Sequence, residues 1–517
     1  MYGSEFLLLA VAIMAILFAL YKSYKKLYYY PKELEQFPSY TISFLNYIQY
    51  MNKISSGSEH PSSALIQFFY SLSQLAEKEG IGAVWFGYKP IVFVFKAHIV
   101  KDILSNPEEC VQTWEKDLIM KPTTGEGILI SSGNKWRRRR NMLNPAFHAR
   151  ILQNYMETFN TGAEILVDKM KVSVNKPWTD LGPLLGESAL SILCDSIFGR
   201  KQDDQETQAT MQAWKDLGEI SAHRILRPWT FNNTIFNLTS EGRKLRKAKE
   251  IADAFSKKVI NEKMKAMLAV RANENKIQER DECNISRKKG STFLEFLLVC
   301  HLDDKTLTLE DVLNEVNTFM AAGHVTTAAA LNWTTYMLGL LPEVQEKVVE
   351  ELRGIFGDDI HRATTNEDLK KMTYLDKVIK EVMRIYPPVP LMGVKFKENK
   401  IIGSFTIPKD VTCGVAIYKL HRDQEVFPNP EEFDAERFSP ENCRKRHPYA
   451  YMPFSMGPRM CIGHQFAMME LKVILSKLLR QFEFTSLDPR NRSQEMYAVV
   501  LTNSKPLRIH LKRRTPA

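Results

Sequence analysis

The sequence predicts a mainly α-helical protein with a small β region, built as a single large domain behind an N-terminal membrane anchor. Three observations carry that expectation. Helical patterning fills most of the chain up to Tyr386. Strand-like pieces are confined to Val84–Phe95 and to the region after Tyr386. No linker divides the part that follows the apolar N-terminus. The expected division is an anchor with its basic stop at 1–30 and one domain at 31–517, although 517 residues would by size alone suggest two or more domains.

The anchor rests on the unbroken apolar run from Phe6 to Leu20, followed by Lys22, Lys25 and Lys26. The run is shorter than the ~20 residues usual for a span, but Tyr2, Tyr21 and Tyr24 suit the two interfaces and extend its reach. A cleaved signal peptide would need a basic leading region, which is absent, and Ala10-Val11-Ala12 lies too early to be its cleavage site. The lysines place everything after them on the cytosolic side.

A hydrophobic fraction of 44% with 25% charged residues excludes a mainly disordered chain. One apolar run excludes a polytopic membrane protein. The seven cysteines are scattered, with no CxxC pair, which argues against a disulfide scaffold or a zinc site and fits a cytosol-facing domain. The net charge of +10 is compatible with a membrane surface, an acidic protein partner or nucleic acid.

Along the chain, Val84–Phe95 reads as two strands joined at Tyr88-Lys89, and the charged, core-poor stretch Arg271–Lys289 as a surface loop. Thr308 opens a helix with Asp311 at the capping-box position. This helix should run to Leu341, about 33 residues or roughly 50 Å, and is apolar nearly all round, so it belongs in the middle of the molecule. Pro342 starts the next helix in the first-turn position that proline favours. Pro387, Pro388 and Pro390 end a helix, short strand-like pieces (FTIP, VTCGVAI) follow, and the last helix runs from Gly463 to about Phe482.

The most specific feature is the loop Phe454-Ser455-Met456-Gly457-Pro458-Arg459-Met460-Cys461-Ile462-Gly463, which runs straight into that last helix. A lone cysteine at the mouth of a helix meets positive dipole and free N–H groups, which stabilise a thiolate. A sheltered thiolate suits a haem iron as axial ligand. Gly457 and Gly463 permit a tight turn and close approach to a flat macrocycle, and Arg459 can donate to a propionate. A buried free cysteine is the commoner fate of a lone one, but here five motif residues coincide at fixed spacing.

These residues resemble the signature FxxGxRxCxG of the haem-thiolate monooxygenases, the cytochromes P450, matched by Phe454, Gly457, Arg459, Cys461 and Gly463. The resemblance extends over essentially the whole chain. Glu381 and Arg384 match the family's ExxR, Ala435-Glu436-Arg437-Phe438 its PERF element with Ala for Pro, and Trp136 with Arg140 its WxxxR. GNKWRRRR, NPAFH, PEVQEKVVEELRGIFG, YPPVP and LHRD are similar to the family-four clan, whose members often hydroxylate fatty acids. The resemblance implies haem b with Cys461 as the metal ligand, held further by Arg459, Trp136 and Arg140. It implies a buried structural triad of Glu381, Arg384 and Arg437, and a proton-delivering role for Thr326. It also implies NADPH used indirectly through an acidic-surfaced cytochrome P450 reductase, cytochrome b5 as a further partner, a small lipophilic substrate, and the endoplasmic reticulum membrane as location.

KWRRRR at 135–140 would by itself suggest nucleic acid. Behind an anchor it reads instead as propionate ligands at Trp136 and Arg140, which share a helical face, with Arg137 to Arg139 partly toward solvent. Together with Arg444, Lys445, Arg446 and Lys472 these form an expected basic face for the reductase; nucleic acid is not an expected partner.

Three positions depart from the family pattern. Val325 replaces the acid that precedes the oxygen-activating threonine, and a valine cannot relay protons; His324 beside it reads as structural. Ala322 stands where many family-four enzymes carry a glutamate esterified to haem, so the haem is expected to be noncovalent. Val394 stands where an Arg often contacts a propionate. The expected activity is monooxygenation. An isomerase or dehydratase of lipid hydroperoxides, or a haem sensor without turnover, are the alternatives.

Overall fold

The computed structural model describes residues 32–41, 76–86, 89–105, 110–111, 113–201, 204–225, 227–277, 292–490 and 495–514. The expected anchor at Phe6–Leu20 lies outside them. Among the described residues no helix is long and apolar enough to cross a membrane.

The principal helices are α1 (Ala97–Leu104), α2 (Gly133–Leu143), α3 (Met156–Lys171), α4 (Gly182–Leu193), α5 (Asp204–Ile225), α6 (Ser240–Ile277), α7 (Phe293–Leu302), α8 (Leu309–Leu340), α9 (Pro342–Phe356), α10 (Thr373–Ile385) and α11 (His464–Gln481). The strands are β1 (Ser39–Thr41), β2 (Ile81–Phe86), β3 (Lys89–Val94), β4 (Cys110–Val111), β5 (Met392–Phe396), β6 (Lys400–Ile402), β7 (Phe405–Ile407), β8 (Thr412–Val415), β9 (Phe482–Ser486), β10 (Glu495–Ala498), β11 (Val500–Asn503) and β12 (Ile509–Arg513).

α8 is the axis of the helical part. Thr308 accepts from the Asp311 amide, and the Asp311 carboxylate accepts in return from the Thr308 amide, closing the expected capping box. From Ala329 to Gly339 every residue of the helix is buried. Trp333 stacks on Tyr386 with centroids 4.1 Å apart and planes 2° from parallel, and its indole N–H donates to the Leu501 carbonyl at 3.0 Å. A buried indole needs such a partner, and this one fixes α8 against α10 and β11.

The strands β1-β2-β3-β8-β5-β4 form one mixed sheet in that order, and β6–β7, β9–β12 and β10–β11 are separate pairs. β3 pairs parallel to β8, with Val92 opposite Cys413, and β5 pairs antiparallel to it, with Gly393 opposite Gly414. This pairing brings residues 91–94, 392–395 and 412–415, far apart in sequence, side by side. The sheet carries its own hydrophobic cluster, separate from the larger one among the helices.

Two local expectations change. The hairpin begins at Ile81 rather than Val84, because Gly82 and Ala83, weak strand formers, are paired and buried against β3. The first part of the expected 271–289 loop continues α6 as far as Ile277; there Arg271 makes a two-pronged bond to Asp303, at 2.7 and 2.8 Å, a partner that local composition does not reveal. The remainder of that stretch lies outside the described residues.

Candidate active site

A cavity of about 400 Å³ takes its lining from α2, α8, β5, β8 and the cysteine loop. It brings together Trp136, Arg140, Thr326, Phe454, Arg459, Cys461 and Gly463, every expected catalytic and cofactor-contacting residue except Gly457. Ala322 and Gly323 line it as well, and the rest of its wall is mostly apolar.

The loop that presents Cys461 is closed on itself. The Cys461 amide donates to the Phe454 carbonyl at 2.9 Å, and the Met460 amide to the Gly457 carbonyl at 3.0 Å. The turn forces Ser455 to φ +63° and Gly457 to φ +74°, and a Cβ on Gly457 would meet the Leu104 carbonyl at 2.9 Å. Gly457 therefore serves the turn rather than the cavity wall. Gly463 differs: it has φ −92°, and a Cβ there would meet nothing within 4 Å. The protein itself does not require a glycine at 463, while a flat group seated in the cavity would.

Cys461 lies two residues before the N-cap of α11 and opens into the cavity. The expected lowering of its pKa is corrected. Burial pushes the thiol up, and the Gly463 amide and the Arg140 charge oppose that rise without overcoming it. Here desolvation of a thiolate outweighs one N–H and one guanidinium.

Arg459 stacks over the Trp136 ring, 4.4 Å from its centroid, and donates to the Ser131 carbonyl at 3.0 Å. Burial pulls the Arg140 guanidinium below its ordinary range, with the Cys461 sulfur the one acidic group to offset this, and no carboxylate of the described residues pairs with it. Its neighbour Arg139 is not partly solvated as expected. It is buried and pairs with Glu315 at 2.5 Å and with Asp311, both on α8. Glu315 also accepts from the Ile128 amide at 3.0 Å. Arg137 and Arg138 are exposed. A run of four arginines cannot say which one turns inward; α8 supplies the carboxylates that decide it.

On α8, the Thr326 hydroxyl donates to the Ala322 carbonyl at 2.7 Å. His324 is buried, its Nδ1 sits against the Met320 carbonyl, and burial holds its pKa at about 4, so it is a neutral structural side chain. Glu470 of α11 was not singled out from sequence. It is fully buried beside the Thr327 hydroxyl, and burial pushes its carboxyl well above the usual range.

Glu381 and Arg384 are completely buried and joined by two bonds of 2.7 and 2.8 Å. Arg437 Nε approaches Glu381 at 3.5 Å, and Arg437 also donates to the Pro428 and Asn429 carbonyls at 2.6 and 3.1 Å. The expected basic face is thinner than its sequence. Lys472 is bound to Asp376 at 2.8 Å, Lys445 to Glu441 at 2.6 Å, and Arg446 lies over Phe427 and Phe438. Val394 is buried in the sheet's cluster and Lys395 reaches Asp410 at 3.4 Å; Met392 and Gly393 line the cavity instead.

The residues fit a haem. A thiol opens into the cavity, a glycine leaves space where a macrocycle would lie, and the Arg140 guanidinium lacks a counter-charge that a propionate would provide.

Comparison with known proteins agrees. A family model described as Cytochrome P450 matches residues 62–511. The chain is 38% identical to Cytochrome P450 4V2 of Mus musculus over 83% of its own length and 82% of that protein's. It is 36% identical to Cytochrome P450 4c3 of Drosophila melanogaster over 84% and 82%. Its fold matches the crystal structure of cytochrome P450DA heme domain with a TM-score of 0.76 at 21% identity, covering 93% of this chain and 98% of that one. The closed cysteine loop, the cavity above it and the buried Glu381–Arg384 pair are thus features of a chain that belongs to the cytochrome P450 family of monooxygenase oxidoreductases, whose cofactor is a thiolate-ligated haem.

Proposed function

We propose that this protein inserts one oxygen atom from dioxygen into a lipophilic, fatty-acid-like substrate, with electrons from NADPH passed through a flavoprotein reductase. The observation that carries the reading is the convergence of Cys461, Arg140, Arg459, Trp136 and Thr326 on one largely apolar cavity. A haem bound there supplies dioxygen activation through its thiolate-ligated iron. The chain does the rest. Cys461 would supply the thiolate to that iron, and Arg140 and Arg459, the latter stacked on Trp136, would hold the group's anionic edge. The apolar wall orients the substrate and excludes water. Thr326 holds a proton at Oγ1, within reach of the cavity.

In this reading residues 1–30 fix the protein to the endoplasmic reticulum membrane, and 31–517 form the cytosolic catalytic domain. The exposed Arg137, Arg138 and Arg444 steer an acidic reductase, or cytochrome b5, to the side of the cysteine loop. Ala322 offers no carboxylate for an ester, so acidic organic solvent should extract the haem from the polypeptide; haem that stays with the chain would contradict this.

Val325 removes the acid from the proton path, so reductase-driven turnover should be poorly coupled. Val325→Asp is expected to raise the yield of product per NADPH; an unchanged ratio would show that the missing acid does not limit coupling. The same valine, with the Thr326 hydroxyl engaged by Ala322, favours a second reading as an isomerase or dehydratase of lipid hydroperoxides, which needs no proton relay. A lipid panel separates the two. Product with NADPH and reductase supports the monooxygenase, product from hydroperoxide alone the isomerase, and binding with neither a sensor.

A further inference from the structure

The wall of the cavity has a polar corner that the chemistry at Cys461 does not use. Glu115 lies between β4 and the turn that begins at Lys116, and it lines the cavity. Its Oε2 accepts from the Thr412 hydroxyl of β8 at 3.0 Å. Its Oε1 and the hydroxyl of Thr113, which is completely buried, are shielded from solvent; neither makes a hydrogen bond of ordinary geometry, and the two groups interact with each other. Thr113 and Thr412 converge here, because a Cβ on Gly393 would lie 3.5 Å from the one and 3.4 Å from the other. Buried polar atoms are normally well satisfied, and a carboxyl and a hydroxyl that meet only loosely in an otherwise apolar cavity keep hydrogen-bonding capacity for a polar group of the ligand.

The charge state narrows the ligand. Burial pushes the Glu115 carboxyl up, against the pull of Lys116 and the two threonines, and Tyr497 nearby is pushed up to about 12, mainly by burial and partly by Glu115. The corner therefore offers a carboxyl whose charged form burial disfavours, with threonine hydroxyls on either side and a tyrosine nearby. A carboxylate placed there would be a second buried acid beside Glu115, where Lys116 is the cation whose charge acts on that carboxyl.

We propose that Glu115 and Thr113 form the polar end of the substrate cavity and select an uncharged oxygen-bearing end group, a hydroxyl or a carbonyl, on an otherwise apolar substrate. This rests on the reading that the cavity takes a lipophilic substrate beside the haem, and it sharpens the fatty-acid-like substrate of that reading to an alcohol or ketone.

The test titrates the haem-loaded, full-length protein with dodecanol, dodecanone, dodecanoate and dodecane, reading each dissociation constant from the change in haem absorbance. The alcohol and ketone should bind more tightly than the carboxylate. Glu115→Ala and Thr113→Val should each weaken the alcohol by roughly tenfold, as for loss of one buried hydrogen bond, and leave dodecane unchanged, while Glu115→Gln should retain most of the affinity. An alcohol-to-dodecane ratio equal in wild type and variants would overturn the proposal and assign the corner to a structural water. So would tighter binding of dodecanoate than of dodecanol. No absorbance change with any of the four would instead overturn the lipophilic-substrate reading on which the proposal stands.

Discussion

Cys461→Ser is expected to leave a folded protein that no longer carries a thiolate-ligated haem. Nothing in the fold leans on the sulfur. The loop is closed by the backbone bonds of residues 454–461 and by the positive φ of Ser455 and Gly457, none of which involves Sγ. The loss falls on ligation. Burial already pushes the Cys461 thiol up, so ligation of a haem iron would have to offset the cost of giving up that proton, and a serine hydroxyl is far harder to ionise. The thermal midpoint of the haem-free protein should change little, while the thiolate-haem absorbance disappears and turnover falls to background. For the same reason, Cys461 of the haem-free protein should react slowly with alkylating agents near neutral pH. Rapid alkylation would mean that the loop itself makes the thiolate.

Arg384→Ala should have the opposite pattern, with the fold failing before the chemistry is reached. The guanidinium binds Glu381 and also donates to the carbonyls of His421 at 3.0 Å, Pro430 at 2.7 Å and Glu432 at 3.2 Å. It thereby ties α10 to the irregular segment that leads into the cysteine loop. Removing it leaves Glu381 as a fully buried carboxylate with three carbonyls unmet. Breaking a buried pair in this way costs about 3–5 kcal/mol, a large share of the ~5–15 kcal/mol that holds a domain together. Arg384→Lys should rescue little, since a single ammonium cannot serve a two-pronged carboxylate and three carbonyls at fixed angles. Thermal melting and haem content measure both variants. A midpoint within a degree or two of wild type would show that the pair is dispensable.

The cysteine loop was legible because its chemistry is contiguous: a cysteine, two glycines and an arginine at fixed spacing, followed at once by a helix. The α8 capping box was legible for the same reason, since Thr308 and Asp311 are three residues apart. Arg139 was not. Its partners, Glu315 and Asp311, lie on a helix more than 170 residues away, and within KWRRRR nothing local separates the arginine that turns inward from those that face water. The basic face was over-read in the same way, because Lys472 and Lys445 have carboxylate partners supplied by the fold. Glu115 carried no signal at all. It is one acidic residue in an irregular segment, and it acquires a role only where β8 brings Thr412 against it.

The sequence by itself determined the family and with it the cofactor class, the candidate thiolate at Cys461, the helical character of the chain and the three departures at Ala322, Val325 and Val394. These depend on residue identity and on spacings within a few turns of chain. Tertiary structure alone decided the upward push on the Cys461 thiol, the inward turn of Arg139, the neutrality of His324 and the polar corner at Glu115. Each of these depends on how far a charge is removed from water and which distant group meets it, and desolvation and partnership exist only after the helices and the sheet have packed.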